Sequence, residues 1–170
     1  MSTTGLPRRR GDAAKAGDVF HLILQAQADY ARCIDDDRLE EWPGFFDDPC
    51  TYRITTAANY RDGLEAGIIF ASSHGMLVDR VSALRDANIY ERQTYRHILG
   101  VPAILNEDGD RVHTETPFLV ARIMRDGDTD IFATGRYLDV YLVRDGGVKI
   151  AERIVVCDSS RIDTLLALPL

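Results

Sequence analysis

The chain has 170 residues, 45% of them apolar, with 20 Lys and Arg against 27 Asp and Glu, and a sequence pI near 5.0. That length and apolar share supply one proper core, since a chain of about 150 residues buries roughly 70% of its unfolded surface. The acidic balance excludes a basic groove for nucleic acid or a face for an anionic membrane, and no run reaches the roughly 18 apolar residues that span a bilayer.

Residues 1–17 carry Arg8, Arg9 and Arg10 ahead of a Gly- and Ala-rich run without the apolar core of a secretory signal. They are expected to form a flexible tail before a single domain over 18–170. From Asp18, a plausible N-cap, to about Asp37, the positions Val19, Ile23, Ala26, Tyr30, Cys33 and Ile34 recur at three- and four-residue spacing, which predicts an amphipathic helix. One or two helical turns follow, anchored by Trp42, Phe45 and Phe46 and broken at Pro43-Gly44. Cys50, Tyr52 and Ile54 alternate with Thr51, Arg53 and Thr55 as in a half-buried strand. Leu77, Val81 and Leu84 mark the buried side of a second helix.

Beyond about residue 94 the period changes to two. Asp108-Gly109, Asp126-Gly127 and Asp145-Gly146 supply the positive φ of tight hairpins. Four long antiparallel strands are predicted near 94–105, 111–124, 131–143 and 148–157. At that length the sheet must twist strongly. Pro117 stands where the apolar face changes phase between Val112 and Leu119, which predicts a bulge there. Helices first and a curved meander after make an α+β roll, with the helices closing a cone that is either a pocket or plugged.

Cys33, Cys50 and Cys157 are odd in number and far apart, and read as buried reduced thiols of a cytoplasmic protein. They cannot build a Rieske cluster, and glycine-rich phosphate and dinucleotide patterns are missing. Asp35, Asp36 and Asp37 with Glu40, Glu41, Asp47 and Asp48 read as a solvated acidic helix end, because consecutive residues there point in different directions rather than at one cation. Asp126-Gly-Asp128-Thr-Asp130 is a hairpin turn and not a calcium loop, with Ile131 where the sharp-turn glycine belongs. His113 and Glu115 share a strand face, but a facial triad needs a third ligand, from His97, His74 or His21, that no spacing requires. An acid-base site in the cone would draw on His74, His97, Tyr30, Asp35 or Tyr52.

Trp42-Pro-Gly-Phe-Phe, Cys50-Thr-Tyr-Arg, Gly75-Met-Leu-Val-Asp-Arg-Val, Tyr95-Arg-His, Arg136-Tyr-Leu-Asp and Val156-Cys-Asp-Ser occur in that order, with a final Leu168-Pro-Leu. Together they resemble the small (beta) subunits of bacterial aromatic ring-hydroxylating dioxygenases over roughly residues 18–170. Residues 60–100, with the run Ser82-Ala-Leu-Arg-Asp-Ala-Asn-Ile-Tyr-Glu-Arg, resemble the small subunits of terephthalate and related aromatic-carboxylate oxygenases, such as those acting on anthranilate or salicylate.

The resemblance implies the cone-shaped nuclear transport factor 2-like, or cystatin-like, roll, with N-terminal helices on a strongly curved, mainly antiparallel sheet. It also implies a non-catalytic structural subunit of an oxidoreductase, with no catalytic, cofactor-binding or metal residues in this chain. The Rieske [2Fe-2S] cluster and mononuclear Fe(II) would sit in an alpha subunit, in an assembly of three alpha and three beta chains, with NAD(P)H used through a separate reductase. Asp79, Arg80, Arg85, Arg96 and His97 are then expected at an interface or in intrasubunit ion pairs, and Leu168, Pro169 and Leu170 buried against the domain or a neighbour. The rival readings are a free-standing hydro-lyase or isomerase using His74, His97, Tyr30 and Asp35, and an apolar ligand-binding module.

Overall fold

The computed structural model describes residues 16–65, 67–87, 93–160 and 168–170. Residues 1–15 of the expected tail, 88–92 of the Ser82 run and 161–167 lie outside the described residues. Helix α1 (Ala16–Asp35) buries Val19, Ile23, Tyr30, Cys33 and Ile34 along one stripe. It begins ahead of Asp18, which lies in the first turn rather than at the N-cap, where a carboxylate still complements the helix dipole. A 3₁₀ turn, Leu39–Phe45, follows and buries Leu39 and Trp42.

Trp42 meets Phe46 and Tyr52 edge-on, at 5.5 and 5.1 Å between ring centroids, and so ties that turn to strand β1 (Phe46–Thr56). The Thr56 hydroxyl accepts the Asn59 N–H and caps the short α2 (Ala57–Arg61). Strand β2 (Ile69–Ala71) leads into α3 (His74–Ala87), which turns Leu77 and Val81 inward.

The rest of the chain is a meander of β3 (Gln93–Leu99), β4 (Ala103–Asp108), β5 (Arg111–Met124), β6 (Thr129–Arg144) and β7 (Gly147–Cys157). The strand order is β2-β1-β7-β6-β5-β3, with β4 also on β5. The first long strand pairs with the last in parallel, and the other pairs are antiparallel. Helix α1 packs on β3 and β7, and α3 on β1 and β2, over one continuous core. This is an α+β roll on an open, mixed sheet. Gly109, Gly127 and the Asp145-Gly146 pair all have positive φ, as the Asp-Gly signals predict. No helix among the described residues is long and apolar enough to cross a membrane.

Two expectations need correction. The strand predicted over 94–105 is two strands, separated at Gly100-Val101-Pro102. Pro117 of β5 stands opposite that break. Its carbonyl accepts the Gly100 N–H at 2.8 Å, but it has no N–H to return, so the ladder cannot continue there. A Cβ on Gly100 would lie 2.5 Å from Pro117 Cγ, so the approach needs glycine.

The bulge expected at Pro117 lies instead between Val120 and Ala121, opposite an extra residue in β6, Phe132. The inward face of β5 runs unbroken through Val112, Thr114, Thr116, Phe118 and Val120. Two of those positions are buried threonines, which interrupt the apolar period in the sequence without any change of face.

Strands β6 and β7 pass very close at Gly135. A Cβ there would overlap the Val156 carbonyl oxygen and come within 3.0 Å of Cys157 Cα. Gly135→Ala is therefore expected to destabilise by about 1–3 kcal/mol through overpacking. Urea denaturation measures this, and an unchanged midpoint would show that the two strands can separate freely.

Candidate functional site

At the centre of the roll, Asp139 on β6 and Arg153 on β7 are direct register partners, and neither side chain has exposed surface. Arg153 Nε and Nη2 donate to the two Asp139 carboxylate oxygens, both at 2.8 Å, in a bidentate fork. The Tyr141 hydroxyl donates to Asp139 at 3.1 Å and accepts from Arg153 Nη2 at 3.1 Å. The guanidinium lies over the Tyr30 and Tyr137 rings, 4.1 and 4.2 Å from their centroids. Burial disfavours the Arg153 charge, but the Asp139 carboxylate outweighs it and holds the pKa above the ordinary value. Burial likewise pushes the Tyr30, Tyr52, Tyr137 and Tyr141 hydroxyls upward, so they stay neutral, and Tyr30, Tyr52 and Tyr141 act as donors.

The final residues complete this filling. Leu168 and Leu170 are buried within the chain's own core. The Leu170 carbonyl oxygen accepts Tyr30 Oη–H at 2.9 Å and Tyr52 Oη–H at 3.1 Å, while Leu170 N–H donates to Tyr52 Oη at 3.0 Å. Tyr30 and Tyr52, two of the residues considered for acid-base work, thus hold main chain rather than line a free pocket.

Asp35 departs from the solvated acidic helix end expected of it. Its side chain is 3% exposed and turns into the fold at the last residue of α1. It accepts the His97 main-chain N–H at 3.0 Å, lies 2.6 Å from His97 Nδ1 and is approached by Arg96 at 3.5 Å. The neighbouring acids stay outside in ion pairs. Arg85 of α3 bridges Asp37 at 2.8 Å and Glu40 at 2.6 Å, Arg38 holds Glu41 at 2.5 Å, and Arg144 approaches Asp47 at 3.5 Å.

The structure therefore joins Asp35 to His97, and leaves His74 at the half-exposed start of α3 with no hydrogen bond to Asp35, His97 or Tyr30. Asp79 and Arg80 border a cleft with exposed Phe70 and Met76, where burial lowers the Arg80 pKa. His113 and Glu115 face outward on β5, Glu115 towards Arg136 at 3.6 Å. Among the described residues no three His, Cys, Asp or Glu side chains form a metal-holding group. Burial raises the Cys33 and Cys157 thiols to about 11 and about 12.

The Arg153–Asp139 pair escaped the sequence reading. Its signal was Tyr137, Asp139 and Tyr141 at period two, an acid between aromatics on one strand face. Gln27 was missed as well, although it sits four residues after Ile23 on the buried stripe of α1.

Residues 29–164 match the family model described as ring hydroxylating beta subunit. The chain is 53% identical over 148 residues to terephthalate 1,2-dioxygenase, terminal oxygenase component subunit beta 1, of Comamonas sp, covering 87% of this chain and 96% of that one. It is 37% identical to the anthranilate 1,2-dioxygenase small subunit of Burkholderia cepacia, with 87% and 92% covered. Among solved structures it is similar to a beta subunit assigned to an aromatic-ring-hydroxylating dioxygenase of Novosphingobium aromaticivorans, with a TM-score of 0.85, 39% identity and 91% and 99% covered.

Two outcomes test the packing of this site. Arg153→Met leaves a buried, uncompensated carboxylate and is expected to cost about 3–5 kcal/mol, whereas Arg153→Met with Asp139→Leu should lose much less than the two single variants summed. Chemical denaturation of the four proteins checks this, and strict additivity would contradict the pairing.

The hydrogen bond from Arg85 lowers the Glu40 pKa to about 2 from 4.5. A depressed carboxylate stabilises the fold above the unfolded value and loses that contribution as pH falls towards the folded one. Arg85→Gln should thus destabilise by less than about 1 kcal/mol at pH 7, since the pair is half exposed. The gap in urea midpoint from the unmodified chain should narrow between pH 4.5 and pH 2.

Proposed function

The chain belongs to the ring-hydroxylating beta subunits and is the beta subunit of an aromatic ring-hydroxylating dioxygenase; from that premise we propose that its oxygenase acts on an aromatic carboxylate of the terephthalate type. The observation that carries the substrate class is the 53% identity to the terephthalate subunits along nearly the whole of both chains. The anthranilate relative, also a subunit for an aromatic carboxylate, stands further off at 37%.

An alpha subunit is the partner such a small subunit requires. We place the Rieske cluster and mononuclear iron there, since the donor set of this chain does not suit them. Its three free cysteines are buried in separate elements, and no metal-holding group forms among the described residues. The filled interior supports a supporting role over a turnover role. Where a fold-related enzyme would need a pocket, this roll holds Arg153, Asp139, four tyrosines and Leu170. The assembly we propose has three alpha and three beta chains in the cytoplasm, where buried unpaired thiols stay reduced.

Asp79 and Arg80, beside exposed Phe70, Met76 and Val78, are the residues we propose for subunit contact. Arg85, Arg96 and His97 act within the chain, binding α3 and β3 to the end of α1.

Affinity purification from the native cell extract through a tag on this chain tests the reading. Recovery of a hexamer-sized complex with a second, larger chain, iron, a Rieske spectrum and terephthalate-dependent oxygen uptake is the expected result. An iron-free oligomer of this chain alone would overturn it. Phe70→Asp should leave the circular dichroism of the chain unchanged and reduce the recovered partner several-fold; full recovery would move the contact elsewhere.

A further inference from the structure

An open groove of 740 Å³ follows the outward side of α1 from its first turn to its middle. Among the described residues, Asp18, His21, Leu24, Gln25 and Ala28 line it, with Gly146 of the β6–β7 turn at its edge. All six are exposed, Leu24 by 40%, so an occupant reaches them directly.

Charge indicates which occupant fits. Residues 1–15 carry Arg8, Arg9, Arg10 and Lys15 against Asp12, a balance of +3, and the whole chain stands at −7, which leaves −10 on residues 16–170. A basic arm on an acidic body is drawn to the acids that its tether reaches. Asp18 lines the groove, and Asp145 is exposed beside Gly146. Asp29 follows Ala28 with its side chain 46% exposed, held by Gln25 at 3.1 Å and by Arg32 at 3.9 Å.

Length fits as well. Ala28 lies about 18 Å along the helix from Ala16. Gly11 and Asp12 are residue types that reverse a chain, and from Gly11 back to Leu6 an extended run covers about 17 Å. Leu6 then reaches Leu24 and Ala28, and the arginines pass the acids. Beyond Ala28 the same side of α1 turns basic, with the Arg32 and Arg96 side chains 69% and 63% exposed, which limits how far a basic occupant extends. Single exposed ion pairs are weak. A tether this short holds the arm at an effective concentration of about a millimolar, so several weak pairs and one apolar contact suffice to populate the docked state.

We propose that residues 5–15 fold back along α1 as a strap, with Leu6 on Leu24 and Ala28, and with Arg8, Arg9 and Arg10 beside Asp18, Asp29 and Asp145. The strap covers the exposed apolar stretch of its own helix. It replaces the flexible tail expected from composition, and it does not depend on the scaffold role.

Trypsin cleavage of the purified full-length chain, read by mass spectrometry, tests the strap, because cutting after Arg8, Arg9 or Arg10 requires the arm to leave the groove. A synthetic peptide of residues 1–15 in the same reaction corrects for the effect of salt on the protease. At about 0.05 M salt the arm should be cut at least about tenfold more slowly than the peptide, and at about 1 M, where the screening length falls to about 3 Å, the gap should close to within about threefold.

Ala28→Arg keeps a good helix former at an exposed position and puts bulk and positive charge into the groove. It should bring cleavage to the peptide rate with unchanged circular dichroism. Leu6→Ser, which leaves the described domain untouched, should speed cleavage several-fold. Protection should persist when the chain is diluted about a hundredfold, since an intramolecular contact does not depend on concentration. Loss of protection on dilution would assign the groove to the arm of a second copy and overturn the strap. Cleavage at the peptide rate in low salt, protection indifferent to salt, or protection kept in both variants would overturn it too.

Discussion

A charge pair without water, Arg153 on Asp139, governs how the interior of this roll is arranged. Removing two ions from water costs several kcal/mol per ion even after relaxation, so the pair persists only with its geometry fully satisfied. The surroundings provide that. The fork is bidentate, Tyr141 closes the triangle, and two aromatic faces cover the guanidinium. Each partner is fixed in turn by something else. Phe118 stacks on Tyr137 at 4.6 Å, and Tyr30 is tied to Leu170. The register of β6 on β7 is thereby set by chemistry as well as by pattern, because a shift of one residue would separate Asp139 from Arg153.

The same arrangement separates a supporting subunit from an enzyme on this architecture. The roll can host a pocket between its helices and its sheet, and fold alone does not say whether it does. Here the central volume around Arg153 is taken up by large rings, a neutralised ion pair and the final leucines. Rigidity suits a subunit whose task is to present a fixed surface to a larger partner, and a packed interior transmits strain rather than absorbing it.

Asp35 serves the same end at the rim. A carboxylate on the last residue of a helix is opposed by the helix dipole. It is tolerated because the His97 main-chain N–H, the imidazole and Arg96 all converge on it. In doing so it covers an N–H of β3, the strand at one edge of the sheet, which guards that edge against stray pairing.

Much of this was legible in the residues themselves. The stripe of α1, the inward side of α3, the Asp-Gly hairpins and the strands of the meander follow from spacing, because burial on one face imposes periods of about 3.6 and 2 whatever the partner across the core. The family signature followed from short runs in a fixed order.

What spacing could not supply was anything requiring two distant segments to meet. Spacing did not show that Thr114 and Thr116 are buried beside Val112, since only the opposing helix provides the Gln27 that donates to Thr116. Pro117 was read as a bulge within its own strand, whereas its missing N–H acts on the neighbouring strand and breaks it at Gly100. Asp35 could be read either as a solvated acid like Asp36 and Asp37 or as the partner of a histidine, and only the placement of His97 on β3 beside it decides. The sequence thus determined the elements and the family, which depend on local pattern and residue order. The tertiary structure alone decided which polar groups are buried and paired, because a buried charge is set by the partner that folding brings to it and not by its neighbours in the chain.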